Sequence, residues 1–274
     1  MSSLQLDGRT AVVTGAGSGI GRALAQRLST HGHPVAICDW DEDGLTNTAA
    51  TLEGPHFADK LDVSDRGGVM AFAAKVAEWA PAPVGIVVNN AGVTVSQLAS
   101  DAAPEDDEWV MNVNFWGVVH CTRAFMPILQ GAGSGALVNV SSIFGLVGWP
   151  AQSSYCASKH AVRGYTESLR HELRGSAIRA ITVHPGGIAT NIVNNARFHV
   201  DDLGNTDRTV LEDDFKKVAR TSPEKAAETI HKGILADKGR IMIGPDATAL
   251  SLLVRLAPVR YFDLIKRFEP LIRR

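Results

Sequence analysis

Tyr155 and Lys159 stand four residues apart in the amphipathic stretch Ser153 to Leu173. That spacing puts them about one turn apart on one helix face. An ammonium so placed stabilises a phenolate, and a tyrosine helped in this way can move a proton. A free phenol titrates near ~10, so a tyrosine acting as a base near neutrality needs a downward shift of about 2 to 3 units, or roughly 3 to 4 kcal/mol. One lysine provides part of that. Ser142 lies twelve intervening residues before Tyr155 and closes the apolar run Leu137-Val138-Asn139-Val140. Taken alone, a Tyr and Lys pair is also compatible with a lysine that snorkels into water and does no chemistry.

A second constellation lies near the N-terminus. Thr14-Gly15-Ala16-Gly17-Ser18-Gly19-Ile20-Gly21 follows an apolar run and precedes the helix-forming Arg22-Ala23-Leu24-Ala25. Glycines there allow a tight turn and close backbone approach, and the following helix N-terminus offers N–H groups to a pyrophosphate. The spacing departs from Gly-x-Gly-x-x-Gly, because the sixth position from Gly15 is Ile20. The strand before and the helix after favour a dinucleotide loop over an ordinary turn. Asp39 ends the next apolar run, twenty residues beyond Gly19. Its carboxylate can accept from both adenosine ribose hydroxyls and repel a 2′-phosphate. A solvated strand-end aspartate is the alternative, with Asp41, Glu42 and Asp43 beside it. Neither Ser18 nor Trp40 supplies a cation for a phosphate, so the pattern points to NAD more than NADP. A cationic nicotinamide ring would then supply more of the Tyr155 shift.

Apolar runs and amphipathic stretches alternate in a way that can position these groups. Strands are predicted at Thr10 to Thr14, Pro34 to Cys38, His56 to Leu61, Val84 to Val88, Ala136 to Val140 and Ile178 to Val183. Helices are predicted at Ile20 to Thr30, Glu42 to Thr51, Ser64 to Trp79, Glu108 to Leu129 and Ser153 to Leu173. This rhythm makes an α/β fold with a parallel sheet covered on both faces. It breaks at Asn191 to Asp214, a polar insert suited to a substrate lid, before a helix at Pro223 to Leu235 and a last strand at Arg240 to Ile243. No linker or repeat divides residues 1–274, which are expected to form one domain with a substrate-loop region at 191–222 and a tail at 255–274.

Thr14-Gly-x-x-x-Gly-x-Gly21, Asp62-Val63, Asn89-Asn90-Ala91-Gly92, Asn114-x-x-Gly117, Ser142, Tyr155-x-x-x-Lys159 and Pro185-Gly186-x-x-x-Thr190 occur in an order and spacing that resemble the classical short-chain dehydrogenases/reductases. The resemblance covers about Leu6 to Gly244. It implies a Rossmann-type doubly wound sheet of about seven parallel strands, a nicotinamide cofactor and a homotetramer or homodimer. It also implies residue roles: Tyr155 as general acid/base, Ser142 on the substrate oxygen, Lys159 on the nicotinamide ribose and the Tyr155 pKa, and Asn114 holding a water of a proton exit path. The implied cofactor set is Gly15, Ser18, Gly19, Ile20, Gly21, Asp39, Asp62, Val63, Asn90, Ala91, Gly92, Tyr155, Lys159, Pro185, Gly186, Ile188 and Thr190. Asp62 and Val63 would meet the adenine, and Ile188 and Thr190 the nicotinamide carboxamide.

The expected activity is hydride transfer between NAD(H) and a secondary alcohol or ketone. Phe144, Leu146, Val147, Trp149, Val193 and Phe198 could line an apolar substrate site, and each could equally be core. An NADPH-linked reductase is the alternative enzyme, and a dinucleotide sensor or scaffold the alternative of another class. The composition fits this range. Lys plus Arg number 27 against 29 Asp plus Glu, a formal charge of -2 that offers no basic field to a nucleic acid. The uncharged run Ala124 to Ser158 carries too many glycines and polar residues for a membrane span, and a cytoplasmic location is expected. Cys38, Cys121 and Cys156 are widely spaced, and Cys156 is read as packing rather than as a nucleophile. The nine histidines show no spaced metal motif, so no metal is expected. His184 could pack under the nicotinamide loop. In the tail, Arg255, Arg260, Lys266, Arg267, Arg273 and Arg274 accompany the apolar stripe Tyr261, Leu264, Ile265 and Phe268. Pro258 and Pro270 leave a helix of only ~11 residues between them, little area for a membrane, so docking on protein is expected over docking on lipid.

Overall fold

In a computed structural model of the chain, which describes residues 6–272 apart from 191 and 194, the apolar runs become strands of one parallel sheet. The order along the chain begins β1 (Thr10–Thr14), α1 (Gly19–Thr30), β2 (Val35–Asp39), α2 (Glu42–Ala49), β3 (His56–Lys60), α3 (Arg66–Trp79), β4 (Val84–Asn89), β5 (Val95–Ser96), α4 (Pro104–Met111) and α5 (Gly117–Gly131). It continues with β6 (Gly135–Val140), α6 (Ser153–Glu172), β7 (Ile178–Pro185), β8 (Arg197–Phe198), α7 (Arg208–Val218), α8 (Pro223–Leu235), β9 (Arg240–Ile243), α9 (Pro245–Leu256) and α10 (Tyr261–Ile272). Seven strands lie in the order β3-β2-β1-β4-β6-β7-β9, all parallel. This is the doubly wound sheet that the sequence predicts.

β1, β4 and β6 are buried at every residue, as strands covered on both faces must be. One core holds Leu24, Leu28, Ile230 and Ile234 of α1 and α8 against Val13, Ile37 and Val88. The other holds Phe72, Val76, Phe125 and Leu129 of α3 and α5 against Val12, Val87 and Leu137. The strand order reverses between β1 and β4. The crevice outside their carboxyl ends is therefore the switch point where an open α/β sheet takes its ligand.

Three regions differ from the sequence reading. The helix expected at Glu108 begins at Pro104, where a proline in the first turn followed by Glu105, Asp106 and Asp107 suits a helix start. It passes through one π-helical turn at Asn112–Trp116 before α5. The polar insert contains α7 and the two-residue strand β8, which pairs with β5 as a small second sheet. α10 continues beyond Pro270 to Ile272. Of the expected tail features, Arg273 and Arg274 and the side chain of Phe268 lie outside the described residues, as does Asn191 at the start of the insert.

Candidate active site

The glycine turn after β1, Asn90–Gly92 after β4 and Ser142 after β6 meet at the carboxyl edge of the sheet. Gly15 has a φ of +65°, and a Cβ there would stand 2.6 Å from Cα of Ala91. A Cβ on Gly21 would fall on the Gly15 carbonyl oxygen. Both positions therefore need glycine. Thr14 Oγ1 accepts the N–H groups of Asn90 and Ala91 at 3.0 and 3.1 Å, and Asn90 Nδ2 donates to the carbonyls of Thr14 and Gly15 at 3.0 Å each. Asn90 thus braces the turn from behind, and Thr14 is a contributor that the sequence reading leaves out of the site set. Ser18 is extended and makes no side-chain cap, so among the described residues the first N–H groups of α1, at Gly19 to Gly21, have no side-chain acceptor. Such a helix start could hold an anion.

Asp39 ends β2 with its carboxylate turned to this turn. Oδ2 accepts from Gly17 N at 2.7 Å and Oδ1 from Asp41 N at 3.0 Å. Burial raises its pKa, opposed by those backbone N–H groups. Arg22, one residue past the last glycine, donates to the Gly17 carbonyl and, from Nε, to Thr48 Oγ1 at 2.9 Å. Its charge is directed at α2, and the sequence reading did not include it. Asp62 is exposed, and its Oδ1 accepts from the backbone and hydroxyl of Ser64 at 2.9 and 2.7 Å. Val63 is buried against Gly117. A narrow glycine cradle, an uncapped helix start and an acidic side chain at the end of the neighbouring strand fit a dinucleotide with its pyrophosphate at α1 and a ribose at Asp39.

The loop after β7 approaches from the other side. The Thr190 methyl lies where a Cβ on Gly19 would stand 3.1 Å away. Gly186 donates to the Ile243 carbonyl at 2.9 Å, and Gly187 to Asp246 Oδ2 at 2.7 Å. Ile188 is buried and bridges Thr221. Asp246, in the first turn of α9, holds this loop and had no signal in the sequence beyond its place at a helix start. His184, expected under the loop, is fully buried, and its Nδ1 bonds the Ser142 carbonyl at 2.9 Å. Burial pulls its pKa down to about 4.

Asn114, Ser142, Tyr155 and Lys159 are brought together. Asn114 sits in the π-helical turn, fully buried. Its Oδ1 accepts Val93 N–H at 2.8 Å while Nδ2 donates to Val93 O at 2.9 Å and Ser158 Oγ at 3.0 Å. A Cβ on Gly92 would be 3.2 Å from both Asn114 Oδ1 and Lys159 Nζ, so the two polar ends flank that glycine. Lys159 Nζ donates to the Val140 carbonyl at 3.2 Å. Ser142 is extended, and its hydroxyl accepts Phe144 N–H at 3.1 Å. Ser154, next to Tyr155, donates to Asp107, which also accepts from Gln97 at 3.1 Å and so ties the start of α6 to α4.

Burial dominates the electrostatics of this group. Burial pushes the Tyr155 phenol up to about 12, the Ser142 hydroxyl pulling it down and Cys156 adding a smaller rise. Burial lowers the Lys159 ammonium to about 8. Desolvation thus opposes the downward shift that a phenol acting as a base would need. Cys156 is buried and its thiol is raised by burial, consistent with packing. On the substrate side, Leu146 and Val147 are buried, while the rings of Phe144 and Tyr155 meet edge to face at 6.1 Å and those of Phe144 and Trp149 stack at 5.9 Å. Val193 is buried and Phe198 lies in β8.

The sequence profile of the short chain dehydrogenase family matches residues 9–200. The SadH protein of Mycobacterium tuberculosis is 42% identical, over 97% of this chain and 96% of its own length. A short chain dehydrogenase/reductase from Burkholderia phymatum, solved in complex with NAD, is similar with a TM-score of 0.81 and 30% identity, over 93% of this chain and 95% of that one. The closed form of a serine dehydrogenase complexed with NADP+ has a TM-score of 0.75 and 27% identity, over 85% and 93%.

Proposed function

From a chain that belongs to the short chain dehydrogenase family, an oxidoreductase family that binds NAD(P), we infer an NAD(H)-dependent enzyme acting on a secondary alcohol or ketone with an apolar body. The observation that carries this is the convergence of Asn114, Ser142, Tyr155 and Lys159 on the crevice that also holds the glycine turn. A sensor or scaffold has no use for a buried lysine beside a buried phenol, since burying an unpaired ammonium is costly. A cytoplasmic assembly of two or four copies belongs to the same reading. Among the described residues no helix is long and apolar enough to cross a membrane.

Each side chain has a role in that reading. The uncapped start of α1 receives the pyrophosphate, Asp39 the adenosine ribose hydroxyls, and Asp62 and Val63 the adenine end. Asn90 to Gly92 form the wall beside them, and Pro185, Gly186, Ile188 and Thr190 the wall on the nicotinamide side. A bound nicotinamide dinucleotide supplies or accepts the hydride. Ser142 Oγ donates to the substrate oxygen, and Tyr155 gives that oxygen a proton in reduction or takes it in oxidation. Lys159 Nζ, held by Val140, stabilises the phenolate and reaches the ribose. Asn114 fixes the Val93 peptide and Ser158, and so the wall behind Lys159. The preference for NAD rests on Asp39, whose carboxylate would meet a 2′-phosphate with like charge.

Steady-state turnover of secondary alcohols and ketones with NAD(H) and NADP(H) tests this. Turnover with a higher kcat/KM for NAD(H) is expected. Equal or better turnover with NADP(H) overturns the role of Asp39, and no turnover with intact NADH binding overturns the enzyme reading.

A further inference from the structure

Beyond β9 the chain adds α9 and α10, and both pack against the loop 143–152 between Ser142 and Tyr155. Ile143, Leu146, Val147 and Ala247 form a third buried cluster, apart from the two cores on the sheet, with Phe144, Leu250, Val254 and Tyr261 packed against it. The Tyr261 hydroxyl accepts the Gly148 N–H at 2.9 Å and donates to the Gly148 carbonyl at 3.0 Å. One phenol thereby satisfies both polar groups of an exposed loop residue, which a phenylalanine could not do. The next residue, Phe262, meets Trp149 edge to face at 5.5 Å. Trp149 stacks on Phe144, and Phe144 meets Tyr155. The result is an unbroken line of rings from the tail to the catalytic phenol. One turn further along α10, Lys266 Nζ lies 3.8 Å from Asp202 Oδ2, in the segment that follows β8. α10 therefore touches both loops that leave the sheet beside Tyr155.

We propose that α10 is the outer wall of the substrate cleft, that Tyr261 latches it shut, and that Phe262 selects for alcohols and ketones carrying an extended apolar chain. This rests on the reading of Tyr155 as the group that meets the carbonyl oxygen. From that oxygen, Phe144, Trp149 and Phe262 offer a succession of rings, with the Lys266 ammonium at the far end, 5.6 Å from the centroid of Phe262. An alkyl substituent lying along it loses water with each added carbon, which is worth about fourfold in affinity per buried methylene. A substrate too short to reach Phe262 gains nothing from the wall.

The test measures kcat/KM with NADH for the straight-chain 2-alkanones from 2-butanone to 2-decanone in the parent, Tyr261→Phe and Phe262→Ala. In the parent the values rise stepwise with chain length. In both variants the decanone to butanone ratio falls about tenfold or more, and hydrogen exchange in the segment 143–152 speeds up in Tyr261→Phe. A loss that is the same factor for every chain length, or a ratio unchanged while exchange speeds up, overturns the proposal. If the parent binds NADH but reduces none of the series, the activity reading fails on its own. The wall then stands if 2-decanone still slows exchange in 143–152 and 261–267 together in the NADH-bound parent and not in Phe262→Ala. It falls if 2-decanone protects neither segment.

Discussion

The Lys159 ammonium donates to the Val140 carbonyl and lies 5.6 Å from the centroid of the Tyr155 ring, so a buried positive charge stands beside the phenol. With the phenol at about 12 and the ammonium at about 8, the phenol keeps its proton near neutrality while the ammonium stays mostly charged. For Tyr155 to serve as the base of the proposed reaction, further positive charge must arrive beside it. Absorbance titration at 295 nm of the free protein, with Tyr155→Phe as the blank, is expected to show no ionisation of this residue below pH ~11. Alcohol oxidation in the presence of NAD is expected to rise with pH through an apparent pKa below the ~10 of a free phenol. A free-protein ionisation near neutrality would put the shift in Lys159 alone.

Tyr155→Phe keeps the ring that packs on Phe144 and removes the proton. Its kcat is expected to fall about a hundredfold to ten-thousandfold, the usual contribution of one positioned acid/base. NADH binding, followed by fluorescence, stays near parental, because the glycine turn and Asp39 are untouched. Near-parental kcat on a substrate whose chemistry limits the rate removes Tyr155 from the mechanism.

Asp39→Ser takes away a carboxylate that accepts from Gly17 and Asp41 and replaces it with a neutral acceptor. The ratio of kcat/KM for NAD over NADP is expected to drop about tenfold or more, which corresponds to about 1.4 kcal/mol of discrimination. Most of the change comes from improved use of NADP. A variant that weakens for both cofactors by the same factor assigns Asp39 to holding the turn and not to reading the ribose.

The parts of this site that are legible in the sequence are those whose geometry is local. Tyr155 and Lys159 share a helix face by spacing alone, the glycine turn lies between an apolar run and a helix, and Asp39 ends a strand. What is hidden depends on contacts across long sequence separations. Asp246 reaches Gly187, and Tyr261 reaches Gly148 over 113 residues. β5 and β8 are two residues each, too short for any alternation to show, and exist because they pair with one another. The π-helical turn around Asn114 has no compositional mark. The burial that raises the Tyr155 phenol is likewise a property of the packed molecule and leaves no mark in the sequence.

His184 and His231 are both buried, each with one ring nitrogen that has no partner among the described residues. Burial lowers both to about 4, and for His231 the neighbouring His31, Arg27 and His33 add to the effect while Asp7 opposes it. His184 also faces Arg240 and Arg163, with Glu167 opposing them. An unfolded histidine takes a proton near ~6.5, so between that pH and 4 the unfolded chain binds more protons and folding weakens as pH falls. The stabilising contribution is complete above pH ~6.5. Urea unfolding at pH 7.5, 6 and 5 is expected to show stability falling by up to about 1.4 kcal/mol per pH unit for each histidine. His231→Gln is expected to reduce that slope; an unchanged slope would locate the dependence elsewhere.

The segment after β7 is fastened to α4 by one carboxylate. Asp106 Oδ1 accepts from Arg197 at 2.7 Å and Oδ2 from His199 at 2.8 Å, while the Arg197 guanidinium lies 4.0 Å above the Trp109 ring. Burial tends to raise the carboxyl, but the hydrogen bonds and charges of Arg197 and His199 hold it below its usual range. The two donors are about half exposed, so global stability gains little from them. What the clamp fixes is the register of β8 against β5, and through it the position of Phe198 and the loop that carries Asp202 toward Lys266. Asp106→Asn keeps the shape and loses the charge that both donors share. The expected result is faster hydrogen exchange across 195–207, a KM for ketone raised about tenfold, equivalent to about 1.4 kcal/mol, and unchanged NADH affinity, since none of these residues touches the glycine turn. A variant with parental KM and faster exchange would mean that the clamp orders the loop without shaping the substrate cleft. A fall in NADH affinity would mean that the two ends of the site are coupled through β5.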